Sequence, residues 1–245
     1  MIKKIEGIIV KETAFGESSK IINIYTKEHG IIGVMAKGSK NIKSKLRNFT
    51  TMFTYGYFHV YYKEDKLSTL IECEIIDGFL YLKTDIILLS YLTYIIELST
   101  QIHKQSNNQI IYNLLISTIK KMNEQYNPKI LTNIFELKLL DFLGISLKLD
   151  GCIKCGSKTN IITINSEEGG FICKNCNHDE LIYDEKVIKM MRMYYLIEID
   201  SISSLNISEP VIDSINDFIN NYYEQYTGLY LNSKKYLEKM IKLQI

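Results

Sequence analysis

Two short cysteine pairs, Cys152-x2-Cys155 and Cys173-x2-Cys176, are separated by 17 residues. This spacing restricts the chain more than any other feature, because two such knuckles that share one ion must fold back on each other. Each supplies two thiolates, and four thiolates complete the tetrahedron that zinc favours without leaving a position for substrate or activated water. The expectation is a structural zinc ion held by Cys152, Cys155, Cys173 and Cys176, stapling a segment too small to build its own core. Gly156 and Asn177, directly after the pairs, tolerate the left-handed backbone that a knuckle turn often needs. The intervening "EEGGF" reads as a hairpin turn. No HxE motif precedes the cysteines, so the deaminase arrangement is missing. His178 could replace one sulfur, but the fourth cysteine makes that unnecessary. Cys73 lies on the apolar side of a strand and reads as core.

Cysteines spaced as metal ligands suit a reducing compartment. The start, "MIKKIEGIIVKE", has only a three-residue apolar run and is no export signal. The most apolar segment, Ile86–Leu98, is too short for a membrane span and carries Glu97. A cytoplasmic protein without a membrane partner is expected.

Residues 1–80 read as strands. "IEGIIVKE", "KIINIYTK" and "GIIGVMAKG" are β-branched and bounded by turn or charged residues, and "TMFTYGYFHVYYKE" is a longer aromatic run. "LSTLIECEIID" alternates, setting Leu70, Glu72 and Glu74 against Ile71, Cys73 and Ile75. Five strands in so short a stretch predict a small closed barrel of OB type. Residues 84–146 read as helices. Asp85 precedes a segment apolar nearly all round, a second helix covers about 108–124, and a third opens at Asn127-Pro128 and ends near Gly144. Helix returns over 184–245, where Ser208 is a candidate cap before a stripe of Val211, Ile215, Phe218, Ile219, Tyr222 and Tyr226. The predicted class is therefore α+β: an OB-type barrel at 1–80, then an all-helical domain built from 81–149 and 181–245, with the zinc module at 150–180 inserted into it.

Charge is unevenly placed. The chain has 29 Lys and Arg against 28 Asp and Glu, yet no acid occurs between Glu28 and Glu64. Inside that gap, "KGSKNIKSKLR" gathers Lys37, Lys40, Lys43, Lys45 and Arg47, in the connection between the third and fourth strands. A basic field on a nearly neutral protein points to a polyanion-binding face. The five cations are candidate phosphate contacts, with Lys20 as an outlying sixth. Aromatic residues follow at once; Tyr55, Tyr57, His59 and Tyr61 share one side of the predicted strand, and Tyr55 and Tyr57 are candidates for stacking on bases. An ordinary half-buried barrel face is the competing reading of these tyrosines.

No arrangement for catalysis stands out. Gly30, Gly33 and Gly38 do not form a phosphate-gripping loop ending in GK[ST], and none of the four histidines has a nucleophile at a recognisable spacing. A non-enzymatic binding protein is expected. One alternative class is a zinc-ribbon protein that binds RNA or acts in transcription.

Three stretches taken in order resemble the RecO family of bacterial recombination mediators. They are "GIIVKETAFGESSKIINIYTKEHGIIGVMAKGSKNIKSKLR", then "FELKLLDFLGISLKLDGCIKCG" running into the first cysteine pair, then "SEEGGFICKNC" around the second. Asn48 departs from the family, standing where a proline is common, and the C-terminal helices match only in pattern. The resemblance implies an N-terminal OB barrel, a helical domain and a zinc module. It also implies a protein of the cytoplasm and nucleoid that binds single- and double-stranded DNA and anneals complementary strands without ATP. Implied partners are RecR and the acidic, apolar-ended tail of single-stranded DNA-binding protein, with which the family helps to load RecA.

Overall fold

A computed structural model describes residues 1–104 and 108–243. It divides into two compact units, Met1–Ile119 and Lys120–Ile245.

The first unit is built on five strands: β1 (Ile2–Phe15), β2 (Ser19–Thr26), β3 (Gly30–Ala36), β4 (Tyr55–Tyr61) and β5 (Ser68–Asp77). They close into a barrel in the order β1-β2-β3-β5-β4. All contacts are antiparallel except the short one that seals the ring, where Val34 and Met35 of β3 lie beside Ser68 and Thr69 of β5. This is the OB arrangement the strand pattern predicts. Every second residue turns inward, so Ile5, Ile9, Ile22, Ile24, Val34, Phe58 and Val60 fill the interior.

β5 departs from simple alternation. Leu70 and Cys73 both reach the core, while Glu72 and Glu74 stay exposed. The cause is a slip in pairing: Val60 of β4 opposes Leu70, but His59 opposes Glu72. Ile71 is thus the extra residue of a bulge and remains exposed. Burial pushes the Cys73 thiol up to about 12, consistent with a core residue and not a ligand.

Between β3 and β4 lies α1 (Leu46–Phe49), a single turn whose Leu46 and Phe49 pack on the barrel core. After β5 comes α2 (Ile86–His103), capped by Asp85, whose carboxylate accepts from the backbone N–H of Ile87 at 2.8 Å and Leu88 at 3.0 Å. By length and composition α2 could cross a membrane, but more than half of it is buried within the protein. α3 (Gln109–Asn123) follows. The sequence assigns these helices to a separate domain starting at residue 81. By compactness alone, α2 and α3 as far as Ile119 group with the barrel. The reason is aromatic packing: the Tyr25 ring of β2 meets His103 of α2 at 5.0 Å and Tyr112 of α3 at 5.3 Å, both edge-on.

The second unit holds α4 (Pro128–Leu139), α5 (Glu185–Leu196), α6 (Glu209–Tyr226) and α7 (Asn232–Leu243). α4 starts as its sequence predicts, with the Asn127 side chain accepting from Lys129 N–H at 2.9 Å and Pro128 next to it. A 3-10 turn over Leu140–Leu143 then ends at Gly144 in the left-handed conformation. α4, α5 and α6 pack on one another. Val211, Ile215, Phe218, Ile219 and Tyr222 form the buried stripe of α6, joined by Tyr223, whose hydroxyl donates to the Glu136 carbonyl at 2.8 Å. Tyr226 is only half-buried, and the Ser208 side chain makes no cap bond.

Within this unit, β6 (Ile161–Asn165) and β7 (Gly170–Cys173) form the hairpin expected around "EEGGF". Phe171 of β7 is fully buried, and the Arg192 guanidinium of α5 lies over its ring at 5.3 Å. Arg192 Nε also donates to the Leu149 carbonyl at 2.9 Å. The cysteine module is thereby docked on α5.

Candidate metal centre and nucleic-acid interface

The basic stretch leaves β3 at Ala36 through a chain of hydrogen-bonded turns. Gly38 takes φ +67°, which its missing Cβ permits, and its N–H donates to Ser19 Oγ at 3.1 Å. The Ser39 hydroxyl donates to the Ala36 carbonyl at 2.9 Å, and the Lys40 N–H donates to the Ser18 carbonyl at 2.8 Å. These bonds fasten the loop to the β1–β2 turn. Beyond it, Leu46 and Phe49 are spaced three apart on α1 and share its inner face, which leaves Lys45 and Arg47 outside.

Lys37, Lys40, Lys43, Lys45 and Arg47 are all exposed, and none has an acidic partner among the described residues. Lys40 Nζ gives one hydrogen bond to the Gly16 carbonyl at 3.2 Å. The loop is a local excess of positive charge, and none of its five cations is in an ion pair among the described residues.

The other sequence candidates do not join it. Lys20 is paired with Glu12 at 3.0 Å and donates to the Thr50 carbonyl at 3.3 Å, so its charge is already met. Tyr55 is buried; its ring stacks on Phe79 at 6.0 Å and its hydroxyl donates to Glu6 Oε1 at 2.7 Å. Burial and that bond raise its pKa, and no face is left for a base. Tyr57 is half-buried, with Lys4 Nζ 4.5 Å from its ring centroid. On the same outer wall Lys4 and His59 both grip Glu74, each at 2.7 Å. Packing among neighbours therefore accounts for these rings.

The four paired cysteines converge in the second unit. Their sulfurs all lie within 4.8 Å of one another, with Cys155 and Cys173 at 3.6 Å. A tetrahedral zinc–thiolate site has sulfurs about 3.8 Å apart, given bonds of about 2.3 Å, so the donor set fits one such ion. The first knuckle is closed by Gly156 N–H donating to the Cys152 carbonyl at 2.8 Å, with Gly156 left-handed as expected. In the second, the N–H groups of Cys176 and Asn177 both donate to the Cys173 carbonyl at 3.0 Å. Asn177 does not adopt the left-handed conformation; its side chain instead accepts from Glu180 N–H at 3.2 Å. Against the desolvation that would raise it, backbone N–H groups of Cys173, Cys155 and Lys154 hold the Cys152 thiol down to about 6. Cys176 is pushed up to about 12 by hydrogen bonding to the Cys155 and Cys173 sulfurs. Four thiolates packed so closely repel one another, and a bound cation relieves that repulsion. His178 is not part of this group of ligands.

Known proteins are similar to this chain over nearly its whole length. The family model described as "Recombination protein O N terminal" matches residues 1–79, and "Recombination protein O C terminal" matches 83–235. The chain belongs to the RecO family. A DNA repair protein RecO of Listeria monocytogenes serotype 4b is 35% identical, over 98% of this chain and 96% of that protein. The Halalkalibacterium halodurans RecO is 34% identical, over 98% and 96%. The Bacillus cytotoxicus RecO is 31% identical over the whole of both. The RecO family models meet between residues 79 and 83, whereas the compact units meet at 119, because α2 and α3 pack on the barrel. Within the RecO N-terminal part, the sequence reading missed α1. Its signal was present: Leu46 and Phe49 are the apolar pair at helical spacing among the cations.

Proposed function

We propose that this member of a DNA repair family acts as a recombination mediator that binds single- and double-stranded DNA and anneals complementary strands without ATP. The observation that carries the reading is the set of five exposed cations, Lys37, Lys40, Lys43, Lys45 and Arg47, without acidic partners among the described residues, on one connection of an OB barrel. Annealing needs two polyanions brought close with their repulsion screened, and a basic loop does this without any chemical step. On this reading the protein is not an enzyme. The cysteine centre takes zinc, and since all four positions are protein sulfurs the ion holds the β6–β7 hairpin and offers no site to a substrate.

RecR and single-stranded DNA-binding protein are the proposed partners, with RecA loading as the outcome. An acidic tail with an apolar end needs a pocket with cations at its rim. A cavity of about 350 Å³ between the end of α6 and α7 is the candidate place: Tyr223, Tyr230 and Leu231 line it, Glu224 and Glu238 share its wall, and with Lys234 held by Glu136 at 3.3 Å the cation left at its rim is Lys235.

Annealing of complementary oligonucleotides across a salt series, with and without single-stranded DNA-binding protein, tests the proposal. Five phosphate contacts on a single strand predict a log K against log salt slope of about −3.5, at about 0.7 per phosphate. The triple substitution Lys40→Ala, Lys43→Ala, Arg47→Ala should flatten it by about 2. An unchanged slope, or binding confined to RNA or to one defined sequence, would overturn the assignment.

A further inference from the structure

Ile42 is the residue of the basic loop that phosphate binding leaves unexplained. Its side chain is 85% exposed, more than any other large apolar side chain among the described residues except the terminal Met1. The loop can bury apolar groups, since Leu46 and Phe49 a few residues on fold against the barrel core. Ile42 is held outward by backbone structure. The Asn41 N–H donates to the Gly38 carbonyl at 3.1 Å, and the Ser44 N–H donates to the Asn41 carbonyl at 3.0 Å, so Ile42 occupies the first inner position of a closed turn. The turn before it is fastened to the β1–β2 turn through Lys40 N–H and the Ser18 carbonyl. A β-branched side chain on such a turn has few conformations to lose on contact. Lys40 and Lys43 flank it, both exposed and both without an acidic partner among the described residues.

A loop that only screened phosphates would gain nothing from an apolar apex. Among proteins that bind DNA through cations, those that deform it insert apolar side chains, isoleucine included, between base steps and unstack them. We propose that Ile42 packs against the bases of the strand whose phosphates Lys40 and Lys43 hold, and keeps one base step unstacked. The inference rests on the DNA binding proposed above and adds a base contact to it. A strand held this way cannot stack continuously on itself, and its pairing edges remain open to a complement.

The test uses the full-length protein and single-stranded oligonucleotides with 2-aminopurine stepped along the sequence. This base brightens when it unstacks. Binding should raise its emission severalfold at one or two positions. Ile42→Ala should abolish that rise and weaken binding by roughly tenfold, about what partial burial of the three lost carbons contributes. The loss should be the same at every salt concentration, because an apolar contact releases no counterions and leaves the salt slope unchanged. Since the chain has no tryptophan, Ile42→Trp gives one reporter at the apex, whose emission should be quenched by saturating DNA. A full 2-aminopurine response from Ile42→Ala, a change in salt slope, or tryptophan emission indifferent to DNA overturns the proposal while leaving DNA binding intact. Emission that follows protein concentration and not DNA would make a second copy of the chain the occupant, and overturns it too. If the unsubstituted protein binds no DNA, the function proposed above falls and this inference with it.

Discussion

Lys20 Nζ stands 3.0 Å from Glu12 Oε2 across the β1–β2 hairpin, which separates this cation from the five on the loop. A lysine whose charge is met inside the protein gains little by turning to phosphate. Lys20→Ala should leave the salt dependence of DNA binding unchanged and cost about 1 kcal/mol of stability through the lost bonds to Glu12 and the Thr50 carbonyl. Lys43→Ala should do the reverse, lowering the slope by about 0.7 with little effect on unfolding. Salt titrations and urea melts of the two variants, read side by side, decide between the roles; a drop in slope for Lys20→Ala counts against the division.

Tyr55 invites a similar separation of binding from folding. Its hydroxyl reaches Glu6 at 2.7 Å while its ring lies on Phe79. Tyr55→Phe should therefore lower stability by about 1.5–3 kcal/mol, the range for a hydrogen bond to a charged group. DNA affinity should stay the same. If affinity falls with no loss of stability, the ring is exposed to DNA in a way its burial denies.

The metal centre predicts a contrast between cysteines. The purified protein should carry one zinc per chain. Cys176→Ser should lower that content, and strong chelation should speed hydrogen exchange at the Cys176 and Asn177 amides, whose shared acceptor is the Cys173 carbonyl. Cys73→Ser should keep the full metal content. It should instead cost about 1–3 kcal/mol, because it puts a hydroxyl into an apolar core. Equal metal loss from both substitutions would sink the assignment of ligands.

The cysteine centre was legible because its signal is local: four thiols at fixed spacing need only the hairpin between them to meet. Barrel class was legible for a related reason, since a period of two survives whatever strand lies alongside. What the sequence hides is register. The bulge that exposes Ile71 and turns Leu70 inward on the same side as Cys73 depends on how β5 pairs with His59 and Val60. Lys20 meets Glu12 diagonally, through the pairing of Glu12 with Ile22 and Ala14 with Lys20. Neither relation is a property of one segment. Tyr55 was misplaced for the same kind of reason: it does lie on the outer wall, as alternation says, but Phe79 from beyond the next strand covers it.

His103 gives the folded protein a dependence on pH. Its ring packs on Tyr25, its Nδ1 is buried without a hydrogen-bond partner among the described residues, and desolvation lowers its pKa below the ordinary value of 6.5. The unfolded chain therefore binds a proton at a pH where the folded protein still resists it. Stability from this residue is complete above about pH 6.5 and declines as pH falls from there through the folded pKa. Tyr25 and Tyr112 beside it have pKa values raised by burial and do not titrate in this window. His103→Leu should flatten the pH dependence of unfolding just below pH 6.5, whatever it does to absolute stability. An unaltered profile would mean that other groups set it.

The same histidine explains why the β2–β3 turn requires glycine twice over. Gly30 has φ +62°, and a Cβ there would lie 2.7 Å from His103 Nε2. Gly16, in the same unit, has φ +60° with nothing within 4 Å of such a Cβ. Gly16→Ala should thus cost only the left-handed backbone penalty, about 1–2 kcal/mol. Gly30→Ala should cost that plus the displacement of the imidazole, which is itself pinned against Tyr25. In a His103→Ala background the excess has no cause, so the two alanine substitutions should then cost the same. Chemical denaturation of this double-mutant cycle measures the excess directly. If it persists without the imidazole, His103 is not what forbids a side chain at the turn.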